Sequence, residues 1–282
     1  MGDHRGPLII IGGGEDKEGH ARILARVVEA AGGPNAAIGV LPTASEAGNA
    51  ALVRYREVFT RLGAREVRGI NLTNRLEADD KGVLGALDDL SAVFFTGGDQ
   101  LRITSALGGT TFHHRLLERH QEGLLVAGTS AGASMMTDTM IVEGDAEEAP
   151  TLNTVHLARG MGFWSGAVVD QHFSQRGRIG RLLAALAQNP EVLGVGIDEN
   201  TAIEVDFAAH TFRVVGTRTV TVLDGRQIVE TNASESSPEE ALAVTGVVLH
   251  VLPEGFAFDW DRRRPARQRE PVAAGQRGAE SL

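Results

Sequence analysis

Leu124-Leu125-Val126-Ala127-Gly128-Thr129-Ser130-Ala131-Gly132-Ala133-Ser134 passes from an apolar run into small residues, with a serine set between two glycines. The run reads as a buried strand that turns abruptly into a helix. Gly128 and Gly132 supply the Gly-x-Ser-x-Gly spacing that such a corner needs, because a Cβ two residues either side of the serine would strike the neighbouring strand or helix. Ser130 is therefore the candidate nucleophile. The turn lifts its hydroxyl above the sheet edge and points the backbone N–H of Ala131, at a helix N-terminus, toward an oxyanion forming on an attacked carbonyl. Glycine, alanine and serine abound in this chain, so the spacing alone also fits an ordinary glycine-rich turn. The surrounding strands decide between the two.

Upstream, Pro7 to Ile11 is a β-branched strand closed by Gly12-Gly13-Gly14, with a helical pattern from about Glu18 to Ala31. The third glycine of a dinucleotide fingerprint would fall at Lys17, so that fingerprint fails and no cofactor is expected. Ala36 to Leu41 is a continuously apolar strand, and a helix capped by Thr43 or Ser45 is predicted to about Leu62. Glu66 to Leu72 is a more exposed strand and Lys81 to Leu90 a short helix. Ala92 to Thr96 is a fourth strand ending in Gly97-Gly98-Asp99-Gln100, with helices over Leu101 to Leu107 and Thr111 to His120. Such alternation predicts an α/β fold with a doubly wound, mostly parallel sheet, in which sites lie at the carboxyl ends of strands. Gly97-Gly98 and Ser130 both fall there, and the glycine pair can supply the second half of an oxyanion hole.

Downstream, Met135 to Pro150, carrying Asp145, Glu147 and Glu148, reads as a loop or hairpin over the site. Ala167 to Phe173 is a strand ending in Asp170-Gln171-His172, followed by Arg176, Arg178, Arg181 and a helix to about Gln188. Leu193 to Ile197 is another apolar strand, ending at Asp198-Glu199-Asn200-Thr201. From Ala202 the β-rich pattern predicts an antiparallel extension of the sheet. Residues 1–6 form a short lead, 7–260 one domain, and 261–282, rich in Arg, Pro, Gly and Ala, a disordered tail.

Composition narrows the function classes. A hydrophobic content of 42% and a charged content of 23% over 282 residues fit a globular chain with a sizeable core. The formal charge of −10 argues against general nucleic-acid binding, which requires a basic face. No apolar run is long enough to span a membrane, and the polar lead lacks a secretory h-region, which predicts a cytoplasmic protein. The absence of cysteine removes disulfides and thiol nucleophiles, so acyl transfer here would need a hydroxyl.

A serine hydroxyl needs a base, commonly a histidine oriented by a carboxylate. Among the nine histidines, His172 ends an apolar strand beside a polar cluster in the half of the chain that follows Ser130. The acid by the same reasoning is Glu199, with Asp198 its competitor, since side chains alternate along a strand and one of the two faces the site.

The order serine, histidine, acid differs from that of α/β-hydrolases. Gly12 to Lys17 (GGGEDK), Phe95 to Gln100 (FTGGDQ), Gly128 to Ala133 (GTSAGA), Asp170 to Phe173 (DQHF) with the following arginines, and Asp198 to Ala202 (DENTA) together resemble the cyanophycinases. The resemblance runs from about Pro7 to Val251. It implies a flavodoxin-like, class I glutamine-amidotransferase-like core and a metal-independent serine exopeptidase, typically a homodimer. Its substrate would be cyanophycin, a poly-aspartate backbone with arginine on each β-carboxyl, cut to β-Asp-Arg dipeptides. The resemblance further implies Ser130, His172 and Glu199 as the triad, and oxyanion donors from Gly98, Asp99 and Ala131. The implied substrate pocket is Gln100, Asp170, Gln171, Arg176, Arg178 and Arg181. The alternatives are an α-aspartyl dipeptidase or other Asp-peptide hydrolase, and an inactive protein that binds Asp-Arg peptides.

Overall fold

The structure, a computed structural model, describes residues 3–144 and 149–267; Asp145, Glu147 and Glu148 lie outside them. The first half of the chain alternates strands β1 (Leu8–Ile11), β2 (Ala37–Leu41), β3 (Glu66–Gly69), β4 (Ala92–Phe95) and β5 (Leu125–Thr129) with helices. These are α1 (Arg22–Ala30), α2 (Gly48–Arg61), α3 (Arg75–Ala78), α4 (Lys81–Ala86), α5 (Gln100–Leu107) and α6 (Thr111–Gln121), and the short α7 (Ala131–Ser134) leaves β5. The second half adds β6 (Thr139–Glu143), β7 (His156–Arg159), β8 (Ala167–Gln171), α8 (Ile179–Gln188), β9 (Leu193–Ile197), β10 (Thr201–Asp206), β11 (Thr211–Gly216) and β12 (Thr219–Asp224). The short pair β13 (Glu230–Thr231) and β14 (Val244–Thr245) precedes β15 (Val248–Pro253), β16 (Phe256–Asp259) and β17 (Arg264–Arg267).

The fold is α/β with a largely parallel centre. In the nine-stranded sheet the order is β17-β16-β11-β10-β1-β5-β4-β2-β3, parallel from β1 to β3 and antiparallel from β10 outward. The run β3-β2-β4-β5 repeats the 2-1-3-4 part of a flavodoxin-type order, but the chain's first strand takes the fifth place. The expectation of one extended sheet is corrected. Strands β8, β9, β12 and β15 form a second sheet in which β8 and β9 are parallel, so His172 and Glu199 follow strands that are not in the sheet of Ser130.

Alternation along β1 shows how the layers are joined. Ile9 and Ile11 face a cluster with Leu24, Val27 and Phe59 from α1 and α2. Leu8 and Ile10 face the opposite cluster, which contains Phe95, Val126, Val169, Val195 and Ile197 and so binds the two sheets together. Helix α8 covers the far side of the second sheet through Leu182 and Leu186 against Val168 and Leu223. Full burial of each such aliphatic side chain contributes roughly 1.5–3 kcal/mol, which fixes the two sets of strand ends against each other.

Several local expectations also change. Helix α1 starts at Arg22 rather than near Glu18, because the Asp16 carboxylate accepts the N–H groups of Glu18, Gly19 and Ala21 and holds them as a loop. Helix α2 starts at Gly48 with no side-chain cap from Thr43 or Ser45. Part of the expected tail belongs to the sheet, since Arg264–Arg267 pairs with Phe256–Asp259; residues 268–282 lie outside the described part. No described helix is long and apolar enough to cross a membrane.

Candidate active site

Ser130 sits at the corner between β5 and α7 with φ 53° and ψ −111°, a conformation that non-glycine residues adopt at a cost of about 1–3 kcal/mol. The corner is held by main-chain fit. Added at Gly128, a Cβ would lie 2.3 Å from the carbonyl oxygen of Gly132, and one at Gly132 would lie 2.5 Å from that of Phe95. Ser130 N–H donates to Ile11 O at 3.0 Å, which ties the strained residue to β1.

The hydroxyl of Ser130 lies 3.0 Å from His172 Nε2, and His172 Nδ1 lies 2.7 Å from Glu199 Oε1. A carboxylate only accepts, so Nδ1 carries the hydrogen and the Nε2 lone pair faces the serine. Burial holds the imidazole below the usual histidine range; Glu199 opposes this shift, while Arg176 and Arg178 add to it. At neutral pH the ring is therefore uncharged, the form a base requires. His172 itself has φ 47°, and its N–H donates to Gly12 O at 2.8 Å. Asp198 points the other way. Buried, it accepts from Ser174 N–H at 2.9 Å, Thr219 N–H at 3.2 Å and the Thr219 hydroxyl at 2.8 Å.

For a developing oxyanion, the N–H groups of Ala131 and Gly98 make no hydrogen bond among the described residues, and a Cβ on Gly97 would come within 3.3 Å of Ser130 Cβ. Asp99 does not fit the expected donor role. Its N–H is spent on Ala44 O at 2.9 Å, and its carboxylate caps α5 through Leu101 N–H at 2.8 Å.

The expected substrate residues divide in the same way. Gln171 stays at the site, its Oε1 3.4 Å from the serine hydroxyl. Arg176 is exposed and makes no side-chain hydrogen bond among the described residues. Asp170 is fully buried, accepting from Gln171 N–H at 2.8 Å, from Arg181 Nε at 2.6 Å and Nη2, and from Arg178 Nη1 at 3.4 Å. It positions arginines and is closed to ligand. Arg181 is thereby consumed. Arg178 donates to Gln171 O at 2.6 Å yet keeps a buried Nε with no partner among the described residues, and burial, only partly offset by Asp170, pushes its pKa down to about 10. Gln100 is also buried, its amide donating to the carbonyls of Ile141 (2.9 Å) and Val142, where it fastens β6 beside the site. Among the described residues no group of three or more His, Asp or Glu is placed to hold a metal.

Two supporting residues escaped the sequence reading. Gln175 Oε1 accepts Glu199 N–H at 2.8 Å, and the buried Glu15 accepts the Thr129 hydroxyl at 2.7 Å immediately before the serine. The only signal for Glu15 was a carboxylate directly after three glycines.

Comparison with known proteins gives a consistent result. The profile of peptidase family S51 matches residues 8–211. A cyanophycinase of Synechococcus elongatus is 37% identical over 257 residues, covering 91% of this chain and 80% of its own length. A cyanophycinase of Geminocystis herdmanii is 36% identical over 262 residues, 93% of this chain and 96% of that protein. The crystal structure of a peptidase from an acI-B1 actinobacterium superposes with a TM-score of 0.69 at 21% identity, covering 92% of this chain and 98% of that one. At that identity it bears on the fold alone.

Proposed function

The chain belongs to peptidase family S51, and we propose that it is a serine exopeptidase that hydrolyses cyanophycin through an acyl-enzyme on Ser130. The observation that carries this reading is the continuous relay from Ser130 through His172 to Glu199, built on a strained corner whose neighbouring Ala131 and Gly98 N–H groups make no hydrogen bond among the described residues. As Ser130 Oγ bonds to the scissile carbonyl carbon, His172 Nε2 takes its proton, and the carbonyl oxygen becomes an oxyanion facing the N–H groups of Gly98 and Ala131. Collapse breaks the C–N bond. His172 returns the proton to the leaving amine, and the acyl group stays on Ser130 as an ester. Water then attacks that ester, losing a proton to His172; collapse breaks the ester C–O bond, His172 returns the proton to Ser130 Oγ, and the new carboxylic acid leaves with serine and neutral imidazole restored. Glu199 holds the ring in the required tautomer and stabilises the imidazolium at each proton transfer.

Each cyanophycin unit presents carboxylate and guanidinium groups, and the arginines that follow His172 suit the anionic part. Arg176 has no ion-pair partner among the described residues, and Arg178 shares a single carboxylate with Arg181, so the cluster carries surplus positive charge. Gln171 remains to meet amide groups. The assembly implied by the resemblance is a homodimer, which sedimentation in solution tests. Incubating the protein with purified cyanophycin and identifying products by mass spectrometry tests the activity. β-Asp-Arg dipeptides are expected; an inert polymer with efficient cleavage of α-linked Asp peptides would move the assignment to an α-aspartyl dipeptidase.

A further inference from the structure

The segment from Ile11 to Asp16 touches the surroundings of all three triad residues. Ile11 O accepts Ser130 N–H at 3.0 Å, Gly12 O accepts His172 N–H at 2.8 Å, and Gly13 O accepts Asn200 N–H, next to Glu199, at 2.8 Å. Gly13 has φ 93°, and a Cβ there would lie 2.3 Å from His172 Cε1, so bare backbone forms the wall behind the imidazole. Asp16 N–H donates to the Asn200 side chain at 3.0 Å, closing the loop onto the acid's turn. Asn200 and His172 both have positive φ, at 50° and 47°, so the loop grips residues whose backbones would relax if released.

One carboxylate pins this loop. Glu15 is 4% exposed and accepts the Tyr55 hydroxyl of α2 at 2.5 Å and the Thr129 hydroxyl at the end of β5 at 2.7 Å, and it pairs with Lys17 Nζ at 2.7 Å. Tyr55 and Thr129 are buried as well, at 5% and 3% exposed. Burial and the neighbouring Glu15 raise the Tyr55 pKa well above its ordinary value, which keeps that hydroxyl a donor. Buried polar oxygens are expensive unless bonded, and here each partner among the described residues ties the loop to the nucleophile strand, to α2 or to itself.

We propose that Glu15 is a positioning residue for the reaction, holding the Ile11–Asp16 loop and Thr129 so that Ser130 and His172 keep their attack geometry. Glu15 acts through these neighbours, and the proposal rests on the assignment of Ser130 as nucleophile. Misplacing reacting groups by about 1 Å costs on the order of 100-fold in rate, and the strained corner has no other side-chain tie at Thr129 among the described residues.

The test uses the full chain and four variants: Glu15→Ala, Glu15→Gln, Thr129→Val and Tyr55→Phe. Three readouts are needed: the rate of Ser130 labelling by a fluorophosphonate, kcat and KM on cyanophycin, and thermal melting. Glu15→Ala and Thr129→Val are expected to slow labelling about 10- to 100-fold, with kcat falling in parallel and KM changing less than about threefold. Glu15→Gln keeps an acceptor for Thr129 and is expected to recover to within about tenfold of wild type, while Tyr55→Phe, which spares that bond, stays within about threefold. Labelling within about twofold of wild type in folded Glu15→Ala and Thr129→Val would overturn the proposal, as would a loss no larger than the unfolded fraction. Should Glu15→Ala fail to fold, Thr129→Val decides. Wild-type protein that labels at Ser130 yet leaves cyanophycin intact would refute the substrate assignment only, and the labelling rates would still decide the role of Glu15.

Discussion

The two sheets bring their residues to the site by different means. On the nine-stranded sheet, Ser130 is fixed by backbone: Gly128 and Gly132 leave no room for a Cβ, and a main-chain bond to Ile11 holds the strained residue. On the second sheet, the strand ends are fixed by buried carboxylates. Asp170 gathers Arg178 and Arg181, and Asp198 gathers Ser174 and Thr219, leaving His172 and Glu199 free to face the serine. The nucleophile's side chain is thus dispensable to the fold, whereas the carboxylates beneath the base and acid are not. Chemistry on the first sheet should be removable without loss of stability, and on the second sheet the two should fall to neighbouring carboxylates.

The largest expected effect tests the first half of that contrast. Ser130→Ala should lower the turnover of cyanophycin by about 10^4-fold or more while leaving Tm unchanged, since it removes one oxygen from a corner set by main chain. Activity within about tenfold of wild type in a clean preparation would place the chemistry elsewhere.

Neighbouring acids on the second sheet should part company. Glu199→Gln is expected to cut kcat by roughly 10^2- to 10^4-fold with little change in stability, because the acid is bonded to His172 and partly exposed. Asp198→Asn should instead cost about 1–3 kcal/mol in denaturant unfolding with a much smaller change in kcat, because it leaves buried donors poorly matched. The opposite ranking would mean that the wrong carboxylate faces the imidazole.

The serine corner was legible in the chain because it follows from a local rule, the space a Cβ occupies; strand alternation pointed to Glu199, yet both acids lie past the end of β9 (Leu193–Ile197), and it is the turn before Thr201 that sets them apart. What escaped the sequence depends on tertiary contacts. Ala167–Gln171 and Leu193–Ile197 are apolar like the parallel strands before them, and nothing local shows that they pair in a separate sheet. The resemblance implied Asp99 as an oxyanion donor, but its N–H is taken by Ala44, 55 residues earlier in the chain. Gln100 and Asp170 have the chemistry to bind substrate, yet burial commits both to internal partners. Arg264–Arg267 reads as tail by composition, and only its pairing with Phe256–Asp259 makes it a strand.

The smallest expected effect concerns the exposed arginine. Arg176 lowers the pKa of His172 through its charge, so Arg176→Ala should raise that pKa and move the acid limb of the kcat/KM profile to higher pH. In the wild type the base is lost only as pH falls through a histidine pKa held below its ordinary value, so activity should persist into mildly acid solution. On the pH plateau, loss of one charged contact to substrate should reduce kcat/KM by about 10- to 100-fold. An unmoved acid limb together with an unchanged plateau would remove Arg176 from the site.

Stoichiometric labelling by a fluorophosphonate, followed by peptide mass spectrometry and assay of the same samples on cyanophycin, tests the central claim most directly. The predicted result is a single adduct on Ser130, with hydrolysis lost in proportion to the fraction labelled. Full hydrolysis by completely labelled protein, or an adduct on a residue other than Ser130 that accounts for the loss, would contradict it.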